Sequence, residues 1–544
     1  MFMRRSQTVV IIDSILLYIC ILVARRPRGE GRYSVKILRK LFSRIVLVSL
    51  AIAAQMALLI LLMVFLSEYY FIIAFGFSLI SLAAVLFIIN RPGNPQVKLA
   101  WIVPIMVFPL FGGIIFFISG GKRPKKELRR SLDESKRLLE GYRKGNLSEN
   151  VIPAPEDACL EGQCRYLENQ GYPVFTDTKA EYFANCRKGW KRMLEDLRSA
   201  EKFIFLEYFI INPGVMWDPV LEILKEKAAA GVDVRVIYDD VGSINYVPHN
   251  YWKTLESFGI KCVAFNRYRP VYAVVMNHRD HRKITVVDGH IGYTGGMNFS
   301  DEYIGETVRF GEWRDNTMRL EGEAVRSMTL LFLEMWNANR RTDTHESVAS
   351  FMPDPARCAA VTCAGYVQPY GDSPVDSEIL AENVYLNIIN QATKYVYIYS
   401  PYLVIDHEMS RALCLAAARG VDVRLVVPEI PDKQTVYALT RSYFPELIEG
   451  GVKVYRFTPG FIHSKVFLAD DREAVVGTIN LDYRSLTLHF ENACLFVDHP
   501  VIKEIKADFE ETLPRCREMA LKEHRFDVLY ETYLGLLRLF APLL

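Results

Sequence analysis

No disulfide framework is written into this chain. Ten cysteines are spread over 544 residues. Cys159 and Cys164, like Cys358 and Cys363, are separated by four residues, which suits no zinc knuckle, and no histidine pair completes a metal set. The pattern favours reduced, buried thiols. Charge of one sign is lacking too: 65 Lys+Arg stand against 63 Asp+Glu, a formal +2. That leaves no global basic field of the kind a dedicated nucleic-acid binder carries. Clustered carboxylates and an HExxH helix are missing, so nothing calls for a resident metal or cofactor. With charged residues at 24% and apolar ones at 51%, a disordered chain is excluded. The length itself excludes a single ordinary domain.

What is present begins with lipid-like sequence. Residues 45–66 are apolar and uncharged, and so are 70–89 and 99–118. At about 1.5 Å per residue each matches a hydrocarbon core of about 30 Å. Three such runs nearly back to back, with no polar face, predict transmembrane helices over 45–120 rather than buried soluble ones. Pro104 and Pro109 in the third are tolerated in a membrane helix. Ahead of them, 1–44 is a basic segment with a shorter apolar stretch, Val9 to Ala24, broken by Asp13 and read as interfacial or a marginal span. Basic clusters flank the runs on both sides, Arg25 to Arg44 and Lys122 to Arg130. Three full crossings cannot keep both in the cytoplasm: either one run does not cross, or one cluster meets anionic headgroups outside. A multi-pass protein of the cell membrane is expected, its side left open.

After a charged linker over 121–175, the chain repeats itself. AAAGVDVRVIY at Ala228–Tyr238 returns as AAARGVDVRLVV at Ala416–Val427, in both cases a helix ending at glycine before a buried strand. FIFLEYFII at Phe203–Ile211 and YVYIYSPYLV at Tyr395–Val404 read as central strands, and GIKCVAF and GVKVYRF as the next ones. The expectation is α/β: one unit over 176–350, a second over 351–544 ending in a helical segment, packed as a pseudo-dimer.

Both units then reach one polar constellation. His281, Lys283 and Asp288 in HRKITVVD precede Gly295, Gly296 and Asn298; His463, Lys465 and Asp470 in HSKVFLAD precede Gly477, Thr478 and Asn480. One accidental His-x-Lys-x4-Asp match is expected only roughly a few hundredths of a time, so two with the same trailing glycine and asparagine are not chance. Duplicated core packing would not select them, since burying Lys without a partner is costly. His and Lys two apart share a face of a strand.

Two His, two Lys and two Asn across a pseudo-twofold interface suit phosphodiester chemistry. Lys283, Lys465, Asn298 and Asn480 can hold non-bridging oxygens. One imidazole attacks phosphorus and becomes a phosphohistidine; the other protonates the departing alcohol and deprotonates the incoming one. The second ring nitrogen of each imidazole needs an orienting partner, and Asp315 in GEWRDN and Glu491 in LHFENA are the candidates. Asp288 and Asp470 end strands, where a carboxylate can cap the following turn.

These paired motifs resemble those of the phospholipase D superfamily, and the wider pattern is similar to that of bacterial cardiolipin synthases. Arg91 to Gly121 resembles their membrane hairpin. Asn277 to Lys283, Trp313-Arg-Asp315, Asn480 to Ser485, Phe490-Glu491 and the closing Ala541-Pro-Leu-Leu544 resemble them as well. The extra apolar sequence before Leu66 departs from the pattern. The resemblance implies joining of two phosphatidylglycerols into cardiolipin with release of glycerol. It counts the Asp of each motif with the catalytic set, and it makes His281 the nucleophile and His463 the acid/base, an assignment the near symmetry of the motifs allows to be reversed. Phosphatidylglycerol, cardiolipin and the membrane are the expected partners, nucleic acid is not, and an oligomer is compatible.

A phospholipase D, or a phosphatidyltransferase with another acceptor, uses the same residues. A membrane-tethered nuclease needs a basic groove interleaved with aromatics, of which no dominant run is visible. A non-catalytic lipid-binding scaffold sits poorly with two intact motifs. The run Val528–Leu544 reads equally as membrane-lying or as packing between domains.

Overall fold

The computed structural model describes residues 69–108, 126–143, 157–267, 277–340, 348–376, 378–521 and 528–543, with a few isolated positions before 117. The expected interfacial stretch, the basic N-terminal segment, nearly all of 45–66, most of 109–118 and Pro153 and Pro155 of the linker lie outside these residues. Contacts divide the chain into two units. One contains residues 1–91, 101–121 and 268–277, and the other 92–100, 122–267 and 278–544.

In the first unit a helix spans Tyr70–Ile89, the residues expected of it, with uncharged sequence throughout. It leaves Phe71, Ile72 and Phe75 69–80% or 65% exposed, an arrangement water does not favour. A second helix spans Pro95–Val107, of which residues 101–107 belong to this unit; it starts four residues earlier than the apolar run suggested, because proline is at home in a first helical turn. Ser81 donates to the Ile105 carbonyl, and Trp101 packs edge-on against Phe116. Among the described residues no helix is long and apolar enough to cross a membrane.

The second unit holds the repeat. Its first half supplies β1 (Thr178–Phe183), β2 (Phe203–Tyr208), β3 (Asp233–Asp239), β4 (Lys261–Phe265), β5 (Lys283–Val287), β6 (Ile291–Gly295), β7 (Glu312–Arg314) and β8 (Thr317–Gly322). Its second half supplies β9 (Tyr366–Asp372), β10 (Tyr395–Tyr399), β11 (Leu403–Val404), β12 (Asp422–Pro428), β13 (Lys453–Phe457), β14 (Gly460–Ile462), β15 (Val466–Ala469), β16 (Glu473–Gly477), β17 (Leu481–Asp482), β18 (Glu491–Val497) and β19 (Cys516–Glu518).

The first sheet runs β1-β8-β6-β5-β2-β3-β4 and the second β19-β13-β12-β10-β15-β16-β18-β9. Read from opposite ends and without β19, the two orders are the same. In each, three parallel strands (β2-β3-β4, β10-β12-β13) continue into an antiparallel half. The parallel strands are mostly buried, with apolar residues predominating, because helices cover them. Gly231 and Gly420 take φ of +90° and +93° at the helix-to-strand turns, a conformation that excludes most side chains.

The segment read as a charged linker packs against the repeats. Helix Lys126–Arg143 buries Leu132 and Leu139 and pairs Arg143 with the buried Glu334 at 3.2 Å. Helix Ala158–Asn169 turns Leu160 and Leu167 inward, and its Gln163 donates to the Val384 carbonyl of the second repeat. Near the other end, helix Val528–Phe540 buries Leu534 and ties Arg538 to Glu446 at 2.6 Å. Its Val528, Leu529 and Leu536 stay exposed, so one face packs and the other presents apolar surface.

Candidate functional site

Two short parallel pairings stitch the repeats together. β7 pairs with β14, bringing Arg314 beside Ile462, and Asp280 bridges Phe490 in the same sense. Each pairing ends where a motif histidine begins. The His463 amide donates to the Arg314 carbonyl at 2.7 Å, and the His281 amide to the Phe490 carbonyl at 2.9 Å. The motif strands therefore start later than their alternation suggests, at Lys283 and Val466: the histidines spend their backbone bonds on the opposite repeat instead of on their own ladder.

The residues following those carbonyls are Asp315 and Glu491, and this fixes a crossed arrangement. Nδ1 of His281 lies 2.8 Å from Oε2 and 3.0 Å from Oε1 of Glu491. Nδ1 of His463 lies 2.6 Å from Oδ2 of Asp315. A carboxylate beside Nδ1 favours the tautomer with its proton there, leaving the Nε2 lone pair free. The sequence offered both carboxylates as orienting partners without saying which served which; each serves the other repeat's histidine. Thr478 in turn donates to Glu491 Oε2 at 2.5 Å.

The lysines lie alongside. Lys283 donates through Nζ to the His281 carbonyl at 2.7 Å, and Lys465 Nζ lies 2.9 Å from His463 Nδ1. Burial pushes the Lys283 ammonium down to about 7 against the pull of Glu491, and Lys465 down to about 8 against Asp315 and Glu491. Burial likewise drives His281 well below the usual imidazole range, helped by the charges of Lys283, Lys465 and His463. Burial and Lys465 lower His463 to about 4, with Asp315 opposing. Charges of one repeat thus act on the histidine of the other, as they must if the residues share one site. Imidazoles and ammoniums that burial disfavours as cations make a site whose charged form a bound anion would stabilise.

The asparagines are placed differently from the lysines. Asn298 accepts at Oδ1 from the Ile210 amide at 3.1 Å and donates through Nδ2 to the Tyr303 hydroxyl at 2.6 Å, and Tyr303 stacks edge-on to His463. Asn480 donates to Ser485 at 3.1 Å, while its buried Oδ1 has no partner among the described residues.

Asp288 and Asp470 do not join this group. Both sit at positive φ, +50° and +53°. The Asp288 carboxylate accepts from the amides of Glu201, Lys202 and Phe203 at 2.8–2.9 Å. That of Asp470 accepts from Thr393, Lys394 and Tyr395 at 2.7–2.8 Å. They cap the entry to the neighbouring central strand, β2 or β10, and not the turn into the next strand, because the αL backbone swings the side chain across the sheet.

Two residues, His489 and Asn492, escaped the sequence reading, and Trp313 entered it only as part of a motif with no role of its own. His489 lies with its ring 5.7 Å from that of His281, and Nδ1 is 3.5 Å from Glu491 Oε1. Burial lowers it to about 3, against Glu491. Trp313 packs 5.3 Å from the His463 ring. Asn492 accepts from the Lys283 amide and donates to Thr294, locking the two sheets together. The signal was present: Trp313-Arg-Asp-Asn316 and His489-Phe-Glu-Asn492 align on their acid-asparagine pairs.

With this geometry in hand, comparison with known proteins is direct. The family described as "Cardiolipin synthase, PLD-like domain" matches twice, over residues 193–317 and 385–513, and "Phospholipase_D-nuclease N-terminal" matches 79–121. The chain is 41% identical to an uncharacterized protein of Streptococcus mutans over 85% of this chain and 100% of that one. It is 32% identical to the cardiolipin synthase of Halalkalibacterium halodurans over 86% and 92% of the two chains. It is also 32% identical to cardiolipin synthase 2 of Bacillus anthracis over 86% and 91%. The crystal structure of a phosphatidylserine synthase from Haemophilus influenzae superposes with a TM-score of 0.53 at 16% identity, covering 70% of this chain and 100% of that one. That likeness is one of fold.

Proposed function

The chain belongs to the phospholipase D-like cardiolipin synthases, phosphatidyltransferases by family, and from that premise we propose that it condenses two phosphatidylglycerol molecules into cardiolipin and glycerol through a phosphohistidine. The observation that carries the reading is the crossed pairing of His281 with Glu491 and His463 with Asp315. It supports two imidazoles, each held through Nδ1 so that its Nε2 is left for the chemistry, acting on a single phosphorus.

In the first step Nε2 of His281 attacks phosphorus of one phosphatidylglycerol. The bond from phosphorus to the glycerol oxygen breaks, and His463, protonated at Nε2 as well once the bound phosphodiester anion joins Asp315 in favouring its charged form, gives that oxygen the Nε2 proton, so glycerol leaves. Lys283 and Lys465 hold the non-bridging oxygens while charge grows on them. Glu491 stabilises the phosphorylated ring through Nδ1. In the second step His463 takes a proton from a glycerol hydroxyl of the second phosphatidylglycerol. That oxygen attacks phosphorus, the P–N bond breaks, and His281 recovers its lone pair. Water as acceptor gives phosphatidic acid instead, so outcome depends on keeping water from the site.

The membrane is the proposed setting, with the helical region over 45–120 crossing it. The exposed Phe71, Ile72 and Phe75 support a lipid-facing helix, and the bare face of Val528, Leu529 and Leu536 supports contact with a lipid surface. The deciding experiment gives the purified full chain phosphatidylglycerol alone, with chelator. Cardiolipin and glycerol in equal amounts are expected. Phosphatidic acid as sole lipid product overturns the transferase reading, and cleavage of nucleic acid without action on lipid overturns both lipid readings.

A further inference from the structure

Trp313 and His489 occupy the same place in the two repeats. Each stands two residues before the carboxylate that holds the opposite repeat's histidine, and an asparagine follows each carboxylate. Their rings lie 5.3 Å from His463 and 5.7 Å from His281 respectively. The Trp313 Nε1 and both ring nitrogens of His489 are buried and have no hydrogen-bond partner among the described residues. An indole N–H can only donate, whereas an imidazole also offers a lone pair. At this position the two half-sites therefore differ in one metal-ligating atom.

On the His489 side the donors are already gathered. Oε1 of Glu491 lies 3.0 Å from His281 Nδ1 and 3.5 Å from His489 Nδ1. The donor atoms of the three residues all fall within 4.8 Å of one another. Ligands held at about 2.0–2.1 Å around a tetrahedral Zn²⁺ stand about 3.3 Å apart, between those two distances. The side chains are 9%, 10% and 0% exposed, so the set is held by its surroundings. A buried imidazole with no hydrogen bond at either nitrogen, and only the Glu491 carboxylate at 3.5 Å from Nδ1, carries a desolvation cost that a bound ligand would recover.

We propose that His281, His489 and Glu491 form a capture site for a divalent transition-metal ion of the Zn²⁺ kind, and that the captured ion stops phosphatidyl transfer. The ion takes the Nδ1 lone pairs of both histidines and Oε1 of Glu491, with a fourth position open to water or a phosphate oxygen. The proton on Nδ1 of His281 moves to Nε2, so the ring stays neutral and no proton is released. Nε2 then has no lone pair with which to attack phosphorus. The His463 half-site cannot be captured in this way, because Trp313 stands where His489 does. Binding stands on the geometry alone; the inhibition rests on His281 being the nucleophile, as proposed above.

The test uses the full chain in detergent with Co²⁺ as spectroscopic probe and Zn²⁺ as inhibitor. Co²⁺ should give a visible d–d band of low-coordinate nitrogen and oxygen ligation, bleached by one equivalent of Zn²⁺, and Zn²⁺ should inhibit cardiolipin formation. His489→Trp, which copies the other half-site, and His489→Gln, which is smaller, should each weaken binding and inhibition by at least about tenfold, the low end of what losing even an outer partner of a ligand costs. Each variant is compared with its own metal-free rate. A Co²⁺ band unchanged in both variants, or Zn²⁺ inhibition that persists undiminished in both, overturns the proposal. A band lost in both variants while Zn²⁺ leaves wild-type transfer untouched upholds the binding and overturns the inhibition. If the protein makes no cardiolipin at all, the transferase reading fails, and the Co²⁺ titration still decides the binding.

Discussion

Nδ1 of His463 lies 2.6 Å from Oδ2 of Asp315, a residue 148 positions earlier in the other repeat. The relation is mutual, since Glu491 of the second repeat holds His281 of the first. Neither repeat owns a complete half-site: each supplies a histidine to one and a carboxylate to the other. Both bonds are consequences of backbone pairing, β7 with β14 and Asp280 with Phe490, so the two imidazoles are aligned by the interface itself.

That alignment makes the carboxylates' worth measurable. Asp315→Asn keeps the shape and can turn its amide to Nδ1, which favours the wrong tautomer of His463. We expect kcat to fall by about 10³–10⁴-fold, the scale found when an orienting carboxylate becomes an amide in a catalytic triad, with KM changed little. Glu491→Gln should do the same to His281. Steady-state assays on folded, purified variants decide it, and a loss below about tenfold would show that neither carboxylate orients its ring.

The two histidines should fail in different ways. His281→Ala removes the attacking nitrogen, so neither product nor a lipid-labelled enzyme should form. His463→Ala leaves the nucleophile in place while removing the acid and base. A slow, acid-labile and alkali-stable phosphatidyl label on the protein should then accumulate from phosphatidylglycerol, detected with ³²P-lipid after denaturing electrophoresis. Label on His281→Ala and none on His463→Ala would reverse the roles.

Much of this was legible beforehand, for reasons that differ by residue. The repeat announced itself because His281-x-Lys283 and His463-x-Lys465 put buried charge where a core would not. Helix Tyr70–Ile89 followed from an uninterrupted apolar run. The crossing was not legible, since both carboxylates carry the same chemistry and only the pairing of β7 with β14 says which repeat each one enters. His489 went unnoticed because its partner position holds Trp313, and an aromatic beside Phe490 reads as core until the two segments are aligned on Asn316 and Asn492. Asp288 and Asp470 were placed at strand ends correctly, but the direction of their side chains depends on an αL backbone that no spacing reveals.

Those aspartates yield a stability prediction. Asp288→Ala deletes three charge-assisted bonds to the backbone ahead of β2 and places alanine at φ +50°. A cost of about 3 kcal/mol is expected, seen as a lower midpoint in chemical unfolding. Asp288→Asn keeps an acceptor and tolerates the backbone, and should lose about half as much. Per folded molecule, kcat should fall less than about tenfold, in contrast to Asp315→Asn. An effect of Asp288→Ala on kcat as large as that of Asp315→Asn, with stability unchanged, would place the residue in the chemistry after all.

The lysines give activity and stability opposite pH trends. In the free protein Lys283 holds its proton only up to about pH 7 and Lys465 up to about pH 8, both lowered by burial. Holding a phosphate anion requires the charged form, so kcat/KM should fall as pH rises through 7–8, far below the ordinary lysine range. Bound substrate returns a negative charge to the site, so the same limb in kcat should move to higher pH. Stability runs the other way. Between the folded value and the ordinary one of 10.5 the unfolded chain binds the extra proton, so raising pH through that window favours the fold. Comparison with Lys283→Met isolates this contribution from the other buried groups. The stability of wild type relative to that variant should grow from pH 7 to pH 9 while wild-type kcat/KM declines. An alkaline limb of kcat/KM near pH 10, or a stability difference flat across the window, would mean that the two ammoniums are not buried against each other in one phosphate-binding cavity.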